Sequence, residues 1–173
     1  MRSVATAAAA LLAVSLYVTG AAGCSDNCTE MACSDSARLV FDPPLTASGH
    51  YSIVLRPKVD GFDGWKISCE VTLPWDGVGN PCNDDLATLE RNCPGATEAS
   101  AEARKSGCSS STGIAAVRIN FAAPHSVEVD VEQDGRQLVR ARVEPSYEKF
   151  YPNGPSCDDL VCSQASTTVP LNP

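Results

Sequence analysis

Histidine is nearly missing from this chain. His50 and His125 are the 2 histidines among 173 residues. So thin a supply of the commonest proton carrier argues against a hydrolase. Neither a Gly-x-Ser-x-Gly elbow, a His-Glu-x-x-His pair nor a glycine-rich phosphate loop occurs. His50 follows Gly49 and His125 follows Pro124, turn-like settings in which a solvated imidazole is the ordinary reading. Positive charge is also scarce, with 13 Lys and Arg against 21 Asp and Glu. A formal charge of −8 disfavours nucleic acid and anionic lipid headgroups as partners and keeps the protein soluble. After the first two dozen residues no apolar run approaches the roughly 20 needed to span a bilayer as a helix. The chain is therefore expected not to be an enzyme and to use no cofactor.

The N-terminus is more informative. Met1 and Arg2 precede a run from Val4 to Val18 that carries no charge. The run is too short to span a membrane, and small residues follow it. A basic start, an apolar middle and a small-residue exit make an export signal. The exit, Gly20-Ala21-Ala22-Gly23-Cys24, resembles a bacterial lipobox, in which the cysteine receives diacylglycerol before cleavage. Ala21 stands where the usual motif has Leu. The resemblance implies a signal peptide over 1–23 and a lipidated, palmitate-bearing Cys24 that begins the mature protein. Two or more acyl chains hold a protein firmly, at about 0.8 kcal/mol per buried methylene.

Cysteine number agrees with that assignment. There are 9, and an odd count in an exported chain leaves one thiol over. With Cys24 lipidated, Cys28, Cys33, Cys69, Cys82, Cys93, Cys108, Cys157 and Cys162 form an even set for disulfides in an oxidising compartment. Spacing favours Cys28–Cys33, Cys157–Cys162 and pairs within 69–108. Zinc is the lesser reading of the Cys-x4-Cys spacing. The acidic loops "DGFDG" at 60–64 and "CDDLVC" at 157–162 match no calcium loop, so no metal site is expected.

The body, residues 37–173, follows a polar tether over 24–36 and reads as one all-β domain. Trp65, Ile67, Cys69, Val71 and Leu73 alternate with polar residues, which predicts a strand buried on one face. Tyr51, Ile53 and Leu55 mark another strand, and Leu39 with Phe41 a third. Val117, Ile119 and Phe121 are in phase, as are Thr167, Val169 and Leu171. The stretch from His125 to Pro145 reads as a hairpin. A three-residue loop, Gln133-Asp134-Gly135, pairs Val129 with Val139 and Val127 with Ala141, and sets Glu132 opposite Arg136 and Glu128 opposite Arg140. The Arg140 and Arg142 stripe is then a solvated strand face. Over about 74–113 the alternation lapses. There Asn83 is placed to cap a short helix over Asp84–Arg91, and Thr97–Ser106 is also helix-compatible.

About seven strands with Trp65 facing inward resemble an immunoglobulin-like antiparallel β-sandwich, carrying a disulfide-pinned, partly helical insertion. The resemblance is architectural, because Trp65 precedes Cys69 on the same strand. The tail "YPNGPSCDDLVCSQA" (Pro152, Asn153, Gly154, Pro155, Cys157, Cys162, Ala165) resembles a Pro-Asn-Gly-Pro-x-Cys…Cys segment of uncharacterised cell-envelope lipoproteins from high-GC Gram-negative bacteria.

Together these features predict an exported, membrane-anchored, non-catalytic module that binds or supports, with lipid on Cys24 as its membrane contact. Ser25 follows that cysteine, not Asp, which points to the outer membrane, periplasmic or surface-facing. Envelope proteins or polysaccharide are the expected partners. An alternative is a carbohydrate- or peptide-binding sandwich using Trp75, Tyr147, Phe150 and Tyr151. A second alternative is a small envelope hydrolase.

Overall fold

A computed structural model describes residues 33–61, 64–93, 113–152 and 161–171. Nine strands run in chain order: β1 (Ser36–Leu45), β2 (Gly49–Lys58), β3 (Ile67–Leu73), β4 (Ala87–Arg91), β5 (Ile114–Asn120), β6 (Ser126–Gln133), β7 (Arg136–Val143), β8 (Tyr147–Phe150) and β9 (Cys162–Pro170). They form one sheet ordered β4-β5-β1-β9-β8 and a second ordered β3-β2-β6-β7. The fold is an all-β sandwich. All pairs are antiparallel except β1 with β9, which run parallel.

Alternation places the core. Leu39 and Phe41 on β1, Tyr51, Ile53 and Leu55 on β2, Ile67 and Cys69 on β3, and Val127, Val129 and Val131 on β6 are buried in one cluster. Their neighbours on each strand lie on the opposite face, as a pleat of period two requires. Pro43 and Pro44 have no N–H to give, and the β1–β5 register breaks over that stretch, between Val40 and Leu45.

The helix expected over Asp84–Arg91 is a turn at 84–86 followed by the strand Ala87–Arg91. Ala87 and Leu89 are buried and sit opposite Ile119 and Val117 of β5, so a period of two wins over the Leu86–Leu89 spacing. Asn83 caps nothing; its side chain accepts a hydrogen bond from Ser68 N at 2.7 Å. Asp84 makes the turn, accepting from Leu86 N at 2.8 Å through its carboxylate. Thr97–Ser106 lies outside the described residues. Phe121, expected inside, follows β5 with φ of 61° and is 70% exposed.

The hairpin keeps the expected faces but not the expected partners. Val127 faces Val143, Val129 faces Ala141 and Val131 faces Val139, with a bulge between Val131 and Glu132. Arg136 is opposite Gln133, not Glu132, and Glu128 is opposite Arg142, not Arg140. The loop has two residues, Asp134 and Gly135, both with positive φ, at 51° and 79°. Asp134 tolerates this because its side chain accepts from His50 N at 2.9 Å and its own N–H donates to His50 O at 2.8 Å. The tip is set by docking onto β2.

Two cysteine pairings also differ from the spacing-based expectation. Cys33 bonds Cys162, so neither Cys28–Cys33 nor Cys157–Cys162 forms. Cys69 bonds Cys82, within the expected group. That bond, with Glu70 N to Pro81 O at 3.0 Å and Asn83 N to Ser68 O at 2.8 Å, lays residues 81–83 along the outer edge of β3. An unpaired edge is thereby covered. Cys93 is disulfide-bonded as well. Cys24, Cys28, Cys108 and Cys157 lie outside the described residues.

On the outer face of the five-stranded sheet, Glu90 of β4 takes Arg38 Nε at 2.7 Å and Arg118 Nε at 3.0 Å. Burial by itself would raise the Glu90 carboxyl, but the hydrogen bond and charge of Arg38, then those of Arg118, outweigh it and hold the pKa below its ordinary value. An acid with a depressed folded pKa adds stability at pH above its unfolded pKa, and that stability is lost as pH falls through the folded value. Urea unfolding should therefore show a decline below about pH 4.3 that is shallower in Glu90→Gln. Identical acid limbs in the two proteins would remove the triad's role.

Candidate functional site

The outer face of the four-stranded sheet carries two adjoining depressions and a concentration of cations. Arg56 and Lys58 project from β2 by the same alternation that buries Leu55. Lys66 is exposed just before β3, and Arg140 and Arg142 lie on β7. These five are drawn from 13 Lys and Arg in a chain of net charge −8. The two depressions on this face are lined by these five cations against three carboxylates, Asp60, Glu128 and Asp130.

Two grooves meet there. The first, of about 570 Å³, lies under the connection from β2 to β3 and includes Arg56, Lys58, Trp65, Lys66 and His125 in its lining. The second, of about 450 Å³, continues across β6 and β7 past Asp130, Arg140 and Arg142. Arg56 and Glu128 line both. Volumes of this size fall in the range of small-ligand sites, about 300–1,000 Å³.

Internal pairing divides the cations into two groups. Asp130, 11% exposed at its side chain, takes Arg140 NH2 at 2.6 Å and Nε at 3.0 Å, with Gln137 Nε2 also at 3.0 Å. Arg142 reaches Glu144 at 3.5 Å, and Lys58 reaches Glu128 at 3.6 Å. Arg56 and Lys66 make no ion pair or side-chain hydrogen bond among the described residues. The Arg140 and Arg142 stripe is a solvated strand face, as expected; the unspent charge sits beyond β6, at Arg56 of β2 and at Lys66 ahead of β3.

Trp65 gives the groove its apolar wall. It is half-buried against the core, and its indole N–H donates to Asp84 Oδ2 at 3.0 Å. One polar atom is satisfied and the ring is held. The sequence marks Trp65 as a strand residue facing inward, yet the strand begins at Ile67 and the ring lines a groove. Its alternation with Ile67 concealed this; its neighbour Lys66, adjacent to the "DGFDG" loop, was the available signal.

The aromatic quartet read from the sequence is not brought together. Trp75 follows Leu73, which pairs with Gly49 at one end of the four-stranded sheet. Tyr147 belongs to the other end, where its hydroxyl donates to Pro124 O at 2.8 Å, just ahead of the start of β6. Burial first, and the Asp35 charge second, push the Tyr147 phenol up to about 12. It is a packing residue with a satisfied hydroxyl. Phe150 is 45% exposed and lines a separate, shallower cavity of about 280 Å³ with Arg118, Asn120 and Gln164. Tyr151 follows it, half-buried.

Both histidines face carboxylates. His50 Nε2 lies 3.0 Å from Glu70 Oε2, and Nδ1 lies 3.3 Å from Thr72 Oγ1. The Ser52 hydroxyl donates to the other Glu70 oxygen at 2.8 Å. Glu70 therefore stands between serine and histidine, so the hydroxyl is bonded to the carboxylate and not to the imidazole, unlike a Ser-His-Asp order. His125 Nδ1 is 3.9 Å from Asp60 in the first groove. Among the described lining residues of that groove there is no hydroxyl or thiol. The described residues also hold no group of three or more His, Cys, Asp or Glu suited to a metal, and no helix long and apolar enough to cross a membrane.

The arrangement defines a disulfide-stapled β-sandwich with a basic groove on one outer face. Set against known proteins, the chain matches no family model, no curated protein and no solved structure.

Proposed function

We propose that this protein is a membrane-anchored, non-catalytic cell-envelope lipoprotein that works by binding at the first groove. The observation that carries the binding role is the pair of unspent cations, Arg56 and Lys66, beside the fixed ring of Trp65. A charged side chain with no partner among the described residues is available to a ligand without breaking any contact they make. The envelope address is supported by Cys33–Cys162 and Cys69–Cys82, because such bonds persist in oxidising compartments. Lipidation of Cys24 and outer-membrane residence are proposed from the Gly20–Cys24 motif.

The immunoglobulin-like kinship is proposed on the same footing. Two packed sheets support it, as does Tyr51 near the start of β2, whose hydroxyl donates to Ala47 O four residues upstream at 2.9 Å. The aromatic reading survives in altered form, with Trp65 in place of the dispersed quartet.

Anchoring has a direct test. Cells fed radiolabelled palmitate are expected to yield labelled protein, and Cys24→Ser is expected to abolish the label. A mutant that labels as strongly as the parent would remove the anchor.

A further inference from the structure

We infer that the first groove takes an anionic saccharide, a sugar chain bearing carboxylate or phosphate groups. The inference rests on the binding role proposed above and names the ligand class. Two independent features meet in the groove, and each alone would specify less.

The first feature is charge. Arg56 offers a planar guanidinium suited to bidentate contact with carboxylate or phosphate, and Lys66 adds a compact cation. Lys58 is committed loosely to Glu128, at 3.6 Å, and His125 faces Asp60, at 3.9 Å. The lining therefore sets three fixed cations, Arg56, Lys58 and Lys66, against two carboxylates, Asp60 and Glu128, and the excess is positive.

The second feature is the ring. A free inorganic anion needs no aromatic wall, whereas the apolar face of a pyranose covers one. Trp65 is suited to that use because Asp84 already satisfies its N–H and fixes its orientation, so ordering it on binding costs little. Arg56 continues into the second groove, which lets a chain longer than one sugar extend over β6 and β7.

The test uses Trp75→Phe, which leaves Trp65 as the sole tryptophan of the 2. Its emission is titrated with oligogalacturonate, after circular dichroism has shown each variant folded. A saturable change is expected, and affinity should fall about tenfold or more when the two charge-assisted contacts are removed in Arg56→Ala/Lys66→Ala. Raising salt from about 50 mM to about 500 mM should weaken binding, since exposed charges are screened. A neutral maltooligosaccharide should produce no saturable change. Unaltered affinity in the double variant would overturn the inference. So would competition by inorganic phosphate or oligoglutamate at equal strength; either result would leave a binding module with a different ligand. Silence toward every probe by a folded protein would overturn the binding role too, while palmitate labelling would still report the anchor.

Discussion

Replacing Cys33 and Cys162 by alanine is expected to lower the free energy of unfolding by about 4–5 kcal/mol. The two residues are 129 positions apart, so the bond closes a loop of nearly the whole folded body. Under the chain-entropy account, longer loops stabilise more because the unfolded chain loses more freedom. The position sharpens the effect. Cys33 precedes β1 and Cys162 opens β9, and these parallel neighbours sit near the middle of the five-stranded sheet. Pairing of Ser36 with Gln164 joins opposite ends of the sequence, and no local turn brings them together. Urea unfolding measures the change. Loss of Cys69–Cys82, which spans 13 positions, should cost less, about 3 kcal/mol. A double alanine variant within about 1 kcal/mol of the parent would show that the ladder holds β9 unaided.

Gly113→Ala is the second large expectation, a loss of about 3–4 kcal/mol combining backbone strain with overpacking. Gly113 has φ of 132°, a conformation that side-chain-bearing residues rarely adopt. A Cβ built there falls 1.9 Å from Leu45 O, a backbone atom that cannot swing aside. The site matters because Asn92 N donates to Gly113 O at 2.8 Å and Leu45 pairs with Ile114 next to it. Three strands, β1, β4 and β5, are gathered at this point. Thermal unfolding of the variant, compared with Gly135→Ala, gives the contrast. Gly135 has nothing within 4 Å of its Cβ position, so its cost comes from a φ of 79° alone. Equal losses at the two sites would mean that the Leu45 contact relaxes freely.

Parity was legible in the sequence, and partners were not. Ile53, Ile67, Val129 and Val131 are inside because alternation with charged and polar neighbours admits one buried face. The same argument placed Arg140 and Arg142 outside, where they are. It does not distinguish registers that differ by two residues, since both bury the same set. The β6–β7 bulge and the two-residue loop are settled by contact of Asp134 with His50, a residue 84 positions away. The strand Ala87–Arg91 illustrates the same limit. Over five residues, helical and extended spacings overlap, and Val117 and Ile119 of β5 decided between them.

The candidate groove was less legible still. Arg56, Lys66 and His125 come from three separate stretches, and the pairings of Leu55 with Ile67 and of Lys58 with Ser126 lay them side by side. Cysteine pairing failed for a related reason. Short spacings made Cys28–Cys33 and Cys157–Cys162 attractive, but sulfur atoms bond where strands bring them, and the parallel β1–β9 pair brought Cys33 to Cys162.

By itself, then, the order of residues determined which side chains avoid water, that strands would do the burying, and that an acidic body rich in cysteine would be cross-linked. These follow from short-range periodicity and composition, which act within one strand. Strand neighbours, disulfide partners and the meeting of Arg56 and Lys66 with a held indole were decided only by the tertiary structure. They depend on contacts between distant segments, whose energies enter only when the two sheets close over one core.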